Sequence, residues 1–326
     1  MRTMNSTMFL YSVQERYADA FAKNFTTVLL AVIILSINGV FVLTFFRSSI
    51  FYNNPRYILY IHLVINDMLM VFFTVILFVM AYVWQNVPLP FCVTLLIIAS
   101  TTHKNTPLTL AGMAIERYIA ICKPLHHHQI CTVRRTCILI SLIWGVGVIP
   151  GLADLILLLI VRPLSTSSKV TSCGASILYS TAYHEVQSRF INGLYSSVVW
   201  VILVFTYCRV LIAARRSTTD KSSAKKAQST ILLHGVQLLL CMLSYITAVI
   251  DKMFIPLLPV DRARLTFLNY LLTNILPRLL TPLIYGVRDK HFYKHMKELF
   301  SYRLFIVKVE SIKNEQKRTT RHSDVS

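Results

Sequence analysis

The stretch MAIERYIAICKPLHHH, residues 113–128, places an acid–base pair at the end of a long apolar run. Glu116 and Arg117 are adjacent, and basic and imidazole side chains follow within a few residues. Burying an ion pair in hydrocarbon costs several kcal/mol unless the charges are well paired or lie at an interface. The stretch therefore predicts the end of a membrane-spanning helix, with the charged pair close to water.

The composition of the whole chain is that of a membrane protein. Its 326 residues are 55% hydrophobic and 14% charged, and the mean hydropathy is +0.58. Soluble domains carry about 25% charged residues. The chain has 33 Lys and Arg against 14 Asp and Glu. In so apolar a chain this excess indicates loops that face the cytoplasmic leaflet, and we expect no nucleic-acid partner.

Seven segments are long and apolar enough to cross a bilayer, which takes about 20 residues. We place them at 25–46, 57–84, 91–122, 136–161, 190–214, 230–256 and 264–286. The predicted fold class is an all-α membrane protein, a seven-transmembrane helix bundle. Residues 1–24 are then an extracellular N-terminus, 25–286 the bundle, and 287–326 an amphipathic helix that contacts membrane lipids, followed by a cytoplasmic tail.

The distribution of positive charge orients the bundle. Lysines and arginines are concentrated in the loops and tail that lie inside when the N-terminus is outside. Asn5 and Asn24 begin glycosylation sequons, which are used only on the lumenal side. Asn5 is the better acceptor because Asn24 lies close to the predicted bilayer. The first residues contain no apolar core of a cleaved signal peptide, so we expect the first span to direct insertion.

Four motifs in order resemble one receptor family. LAGMAIERYIAICKPLHH (110–127) looks like the MAxDRYxAICxPLxY signature of odorant receptors, a branch of the rhodopsin-like G-protein-coupled receptors. NPRYILYIHLVIND (54–67), KKAQSTILLHG (225–235) and TPLIYGVRDK (281–290) resemble the family's second-helix entry, its KAxSTCxSH and its NPxIYxxRN. Departures such as Glu116 for Asp and Thr281 for Asn suggest a divergent, fish-type branch.

The resemblance implies a function and its partners. A small-molecule odorant would bind in the outer half of the bundle and activate a heterotrimeric G protein of the olfactory stimulatory type, in olfactory cilia at the plasma membrane. Arrestin is a possible further partner. A rhodopsin-like receptor for another ligand shares this machinery. A small-solute transporter is the other alternative, although the chain lacks the internal repeats typical of transporters.

The resemblance also assigns a switch at the inner face. Glu116 would hold Arg117 in one state and release it toward the G protein in another. Anchoring of Arg117 and Tyr118 at the interface is the simpler alternative. The remaining switch candidates are Tyr207, His234 and Tyr285.

Buried polar residues form a second predicted group. Asp67 is an intramembrane carboxylate, for which a functional role is the default. Arg278 is placed to approach Asp67 as a salt bridge in place of a sodium ion, and the sequence leaves both options open. The other members of this polar core are Asn38, Thr106 and Thr281.

The ligand site is predicted around residues 103–106, whose polar side chains must face the bundle interior or water. Lys104 would pair with an anionic odorant, and His103 would form a hydrogen bond with it. The alternative is that Lys104 pairs with Asp154 or extends to the interface. Further pocket candidates, matched by position, are Tyr195, Tyr245, Val249 and Asn274.

Cysteine and histidine positions complete the predictions. Cys92 opens the third span on the outer side and Cys173 lies in the second outer loop, so we expect a disulfide in this oxidising compartment rather than two free thiols. The adjacent histidines at 126–128 are not spaced to converge on one ion. We expect no metal, no cofactor and no catalytic site, since no nucleophile–base arrangement is present.

Overall fold

The computed structural model describes residues 2–83, 87–161, 173, 182–216, 262–289 and 291–298, with the side chains of the first helix from Ala18 onward. In chain order the helices are α1 Arg2–Arg47, α2 Ser49–Tyr52, α3 Pro55–Val83, α4 Leu89–Cys122, α5 Pro124–Ile130, α6 Val133–Val161, α7 Ala182–Arg216, α8 Arg262–Tyr270 and α9 Leu276–Arg288. A π-helical turn, Leu271–Ile275, joins α8 to α9, and residues 291–298 form α10.

Six of the seven predicted spans coincide with helices of the structure. The bounds of α3, α4 and α6 lie within three residues of the predicted ones. Two helices begin earlier than expected, since α1 starts at Arg2 and α7 at Ala182. The predicted N-terminal segment is therefore helical from Arg2 and continuous with the first span. The sixth span, 230–256, lies outside the described residues.

Four of the described helices contain segments long and apolar enough to cross a membrane. These segments are Ala18–Arg47, Pro55–Met80, Val133–Ile160 and Gly193–Ala213. Their exposed faces carry large apolar side chains such as Val32, Ile149 and Val201. A lipid-facing surface needs this composition, because hydrocarbon offers no partner to a polar group.

The third predicted span, α4, is the central helix of the bundle. It packs against α3, α6 and α7, and its buried residues extend from Cys92 to Glu116. Small residues allow the close packing on α6, because a Cβ atom at Gly147 would overlap the side-chain amide of Asn105. The burial of α4 explains how residues 103–106 can be polar in the middle of a span.

An aromatic cluster joins α1, α2, α3 and α10 at one end of the bundle. The ring of Phe292 in α10 lies 5.8 Å from that of Phe41 and 5.2 Å from that of Phe51. Phe292 is 1% exposed, whereas Lys294 and Lys297 are exposed. The predicted amphipathic helix is therefore present, with its apolar face docked on the bundle.

Asp289 fixes the start of α10. Its Oδ1 accepts hydrogen bonds from the backbone N–H groups of His291 and Phe292, both at 3.1 Å. A carboxylate at this position satisfies free N–H groups of the first turn and is favoured by the helix dipole. Its Oδ2 accepts from the Tyr57 hydroxyl at 3.0 Å and pairs with Arg56 at 3.1 Å. One carboxylate thus joins α10 to the start of α3.

Candidate functional site

Glu116 contacts a guanidinium and an imidazole at the end of α4. Its Oε2 lies 3.5 Å from Nε of Arg117, and its Oε1 lies 3.1 Å from Nε2 of His127 in α5. We call these three residues the carboxylate clasp. The structure places Glu116 and Arg117 in the predicted contact, and their switching role stays a prediction. Sequence reasoning considered His127 only as one of three adjacent histidines that do not form a metal site. In the structure His127 is half-buried, and His126 and His128 are exposed.

A second ion pair lies close to the clasp. Arg56 binds Asp289 and also lies near enough to Glu116 to interact with it electrostatically. The clasp, the start of α3 and the start of α10 therefore belong to one charged network. Sequence reasoning missed Arg56 and Asp289. An acid just before an amphipathic segment is an N-cap signal that indicates Asp289, but no local pattern indicates its partner on α3.

The end of α4 also contacts α7. The ring of Tyr118 lies 6.0 Å from that of Phe205, and the Cys122 thiol lies 3.8 Å from the Arg209 carbonyl oxygen. Tyr207 is half-buried on the same helix. Of the other switch candidates, His234 and the side chain of Tyr285 lie outside the described residues.

The polar core contains a hydrogen-bonded group on α3 and α4. The Thr106 hydroxyl donates to Oδ1 of Asp67 at 2.8 Å and accepts from Nδ2 of Asn66 at 2.9 Å. The same Asn66 nitrogen donates to the Thr102 carbonyl at 2.8 Å. Because Asp67 is 1% exposed, the hydrogen bond from Thr106 helps to stabilise its carboxyl group inside the bundle.

Two other predicted core residues are buried but make no such contact. Asn38 is fully buried and Thr281 is 1% exposed. Neither the amide of Asn38 nor the hydroxyl of Thr281 has a hydrogen-bond partner among the described residues. The structure thus joins Asp67 and Thr106 by a hydrogen bond. Asn38 and Thr281 are buried in the same interior but are not hydrogen-bonded to this group.

Arg278 does not form the predicted salt bridge. Its Nε lies 3.1 Å from the Met70 sulfur and its Nη1 donates to the Asn274 carbonyl at 2.7 Å. Asp67 and Arg278 are both described and both buried, and they interact electrostatically, but no ion pair joins them. Met70 lies three residues after Asp67 on the same face of α3, so the guanidinium reaches this face about one helical turn from the carboxylate.

The predicted ligand residues are distributed over three helices. Lys104 is 8% exposed and interacts electrostatically with Asp154 of α6, which is also buried. His103 is half-buried and lies near Arg278. Asn274 lies in the π-helical turn, an element often found at functional sites. This attraction to Asp154 favours the structural alternative for Lys104, although no ion pair joins the two side chains, both of which the structure describes.

Of the three remaining pocket candidates, the structure describes Tyr195. The Tyr195 hydroxyl donates to the Val146 carbonyl of α6, so it joins α7 to α6. Tyr245 and Val249 lie outside the described residues.

His62 is an interhelical residue that sequence reasoning missed. The Trp144 indole N–H donates to its Nε2 at 2.9 Å, so this nitrogen is an acceptor and the ring proton is on Nδ1. Nδ1 then donates to Thr109 Oγ1 at 3.1 Å, and the Thr109 hydroxyl donates to the Asn105 carbonyl at 2.8 Å. This chain of bonds joins α6, α3 and α4. The only sequence signal for it is a polar residue within an apolar helix.

The predicted disulfide is confirmed. Cys92 at the start of α4 is bonded to Cys173, with their Cα atoms 5.7 Å apart. The bridge lies at the end of α4 opposite the clasp. Asn5 lies on α1, where its side chain is not described, and Nδ2 of Asn24 donates to the Ala20 carbonyl at 3.0 Å. Glycosylation at these two sites stays a prediction.

Replacing both Cys92 and Cys173 with serine should destabilise the protein by about 2–4 kcal/mol, because the bridge restricts the unfolded chain. The measurement is the thermal unfolding midpoint of the purified protein in detergent. Cys137→Ser is the matched control, since this cysteine is free and exposed. An unchanged midpoint in the double variant would mean that the bridge contributes nothing to stability.

Comparisons with known proteins agree with this architecture. The profile described as 7 transmembrane receptor (rhodopsin family) matches residues 37–285. The zebrafish protein named Odorant receptor 131-2 is 28% identical over 295 residues, which are 90% of each chain. Human Olfactory receptor 4K1 is 31% identical over 194 residues, which cover 56% of this chain and 58% of that receptor. Mouse Olfactory receptor 4M1 is 26% identical over 203 residues, with shares of 60% and 62%.

Proposed function

Because this chain belongs to the rhodopsin family of seven-transmembrane receptors, we propose that it is an odorant receptor that activates a heterotrimeric G protein. The observation that carries the proposal is the similarity to a zebrafish odorant receptor along 90% of both chains. Members of this family are receptors and not enzymes. The bundle, with a buried polar interior and a charged clasp at one end, supports the same conclusion.

Activation would couple the two ends of α4. A small molecule near His103, Lys104 and Asn274 would favour a state in which Arg117 leaves Glu116. Arg117 would then receive the C-terminal helix of a G protein of the olfactory stimulatory type, together with Tyr207, His234 and Tyr285. The ligand can shift this equilibrium only by its difference in affinity for the two states. Arrestin would bind the tail after phosphorylation.

The ligand class follows from the charges around α4. We propose that the odorant carries an acidic group, because Lys104 places a cation at the level of the candidate pocket. Asp154 already offsets part of this charge, so a neutral odorant bound through His103 is the competing proposal.

In the plasma membrane of olfactory cilia, the N-terminus would be extracellular and the clasp cytoplasmic. The disulfide supports this orientation, because it would then face an oxidising compartment. We expect Asn5→Gln to abolish the size shift that an endoglycosidase produces in the expressed protein, and Asn24→Gln to leave it intact. Measuring the shift on gels tests both sites. A protein that shows no glycan and exposes both terminal tags on one side of the membrane would contradict the topology.

The decisive experiment is a ligand screen in cells that co-express the chain and an olfactory-type G protein, with cyclic AMP as the readout. Responses should require this chain and should disappear in its Arg117→Gln variant. Assays of the purified protein in vesicles distinguish the receptor from the transporter alternative. Ligand-dependent nucleotide exchange without net solute uptake supports the receptor, and solute uptake without nucleotide exchange would overturn it.

A further inference from the structure

His127, and not Arg117, is the nearer partner of the Glu116 carboxylate. The contact distances are 3.1 Å to the imidazole and 3.5 Å to the guanidinium. The two partners use different oxygens of Glu116, so both contacts exist at once. The carboxylate side chain is 8% exposed and the imidazole is 21% exposed. This partial burial makes the contact stronger than a surface pair and still leaves the ring accessible to protons.

The contact links α5 to the end of α4 through side chains. His127 joins the middle of α5 to α4 through Glu116. At the other end of α5, the Arg135 guanidinium donates to the carbonyls of Gln129 and Ile130 at 2.8 and 3.3 Å. Arg135 can hold only the last turn. His127 therefore joins the middle of α5 directly to a switch residue of α4.

The charged groups around His127 come from every neighbouring element. Arg117 on α4 and Arg56 on α3 both act on Glu116. His128 meets His127 edge to face at 5.6 Å. Burial raises the pKa of the Cys131 thiol, the charge of Glu116 raises it further, and Arg135 lowers it. Within the described part of the chain, Glu116 is the single acidic group in direct contact with the imidazole.

The residue type makes the contact sensitive to protons. Residues 124–127 resemble the PLxY pattern, and His127 occupies the position of its tyrosine. A tyrosine donates a hydrogen bond to a carboxylate without change until about pH 10. A histidine gains a charge between about pH 5 and pH 8. Hydrogen bonds between two charged groups are about twice as strong as neutral ones.

We propose that His127 is a positioning residue that holds Glu116 in the inactive arrangement. Protonation of the His127 imidazole strengthens this hold. A protonated ring forms an ion pair with the carboxylate, whereas a neutral ring offers at most a neutral hydrogen bond, so the contact is stronger at acidic than at alkaline pH. Nucleotide exchange should therefore increase from acidic to alkaline pH. The effect on nucleotide exchange rests on the proposed G-protein coupling. The pH-dependent docking of α5 on α4 does not rest on it.

The first test measures basal nucleotide exchange on a purified G protein by the receptor in nanodiscs. Between about pH 6 and about pH 8 we expect an increase of about three- to tenfold for the wild type. His127→Tyr should be low and flat, because it keeps the donor without the titration, and His127→Phe should be high and flat. His126→Tyr is the matched control and should follow the wild type. Dividing each rate by that of His127→Tyr at the same pH removes the pH dependence of the G protein.

The second test follows α5 without a G protein. Amide hydrogen exchange of residues 124–130 is compared between wild type and His127→Tyr at each pH, so intrinsic exchange rates cancel. We expect equal protection at acidic pH and faster exchange of the wild type at alkaline pH. A wild-type pH dependence that persists in His127→Tyr would overturn the inference. If α5 responds to pH but no variant drives nucleotide exchange, the clasp is confirmed and the proposed function fails.

Discussion

Replacing Arg117 with glutamine is expected to reduce receptor-driven nucleotide exchange at least about tenfold, which corresponds to about 1.4 kcal/mol or more of lost coupling. The guanidinium is planar and presents five donors, a geometry suited to backbone carbonyls at the end of a partner helix. Glutamine keeps a polar side chain but loses the charge and the fork. The measurement is basal and ligand-stimulated exchange with purified G protein.

Stability separates this effect from misfolding. The contact of Arg117 with Glu116 is long, at 3.5 Å, and the shorter His127 contact of the same carboxylate remains in the variant, so we expect little loss of folding free energy. The unfolding midpoint should therefore barely change. Arg134→Gln is the control, because Arg134 is exposed at the start of α6. If Arg117→Gln signals normally, the clasp is a surface anchor and not a switch.

The sequence predicted those parts of the fold that depend on local apolar length. An uninterrupted apolar segment of about 20 residues must form its backbone hydrogen bonds internally, which is why the bounds of α3, α4 and α6 were predicted closely. The start of α1 was not, because residues 2–24 contain polar side chains that a helix tolerates outside a membrane. Helicity there is set by continuation of the span and not by hydropathy.

The candidate site was predictable only where its members are adjacent in sequence. Glu116 and Arg117 are neighbours, so their contact was expected. Tyr57 and Asp289 are 232 residues apart, and their bond depends on how α10 returns to the bundle. His62 depends in the same way on the packing of α3 against α6. Sequence spacing gives the approximate height of a residue on its helix, but packing decides its partner, and Arg278 bonds to Met70, about one turn from Asp67.

Removing one of the two buried, oppositely charged groups Lys104 and Asp154 is expected to destabilise the bundle. Lys104→Met removes a cation that acts on the Asp154 carboxylate, and Asp154→Asn removes an anion that acts on the Lys104 ammonium. Loss of one partner of a directly bonded buried pair costs about 3–5 kcal/mol, and we expect a smaller loss here because no ion pair joins these two described groups. The measurements are surface expression and the unfolding midpoint. Lys123→Met, on an exposed lysine, is the control for loss of a positive charge.

The double variant Lys104→Met with Asp154→Asn distinguishes a structural lysine from a ligand-binding one. Buried pairs can be replaced by uncharged groups at little cost, so the double variant should recover most of the lost stability, and the two single effects should be strongly non-additive. Its ligand responses then decide the role of Lys104. If the odorant is anionic, the folded double variant loses responses to carboxylic acids and keeps those to the matching aldehydes. Unchanged responses to acids would leave Lys104 a structural partner of Asp154, and the ligand would be held by His103 and the π-helical turn without a countercharge.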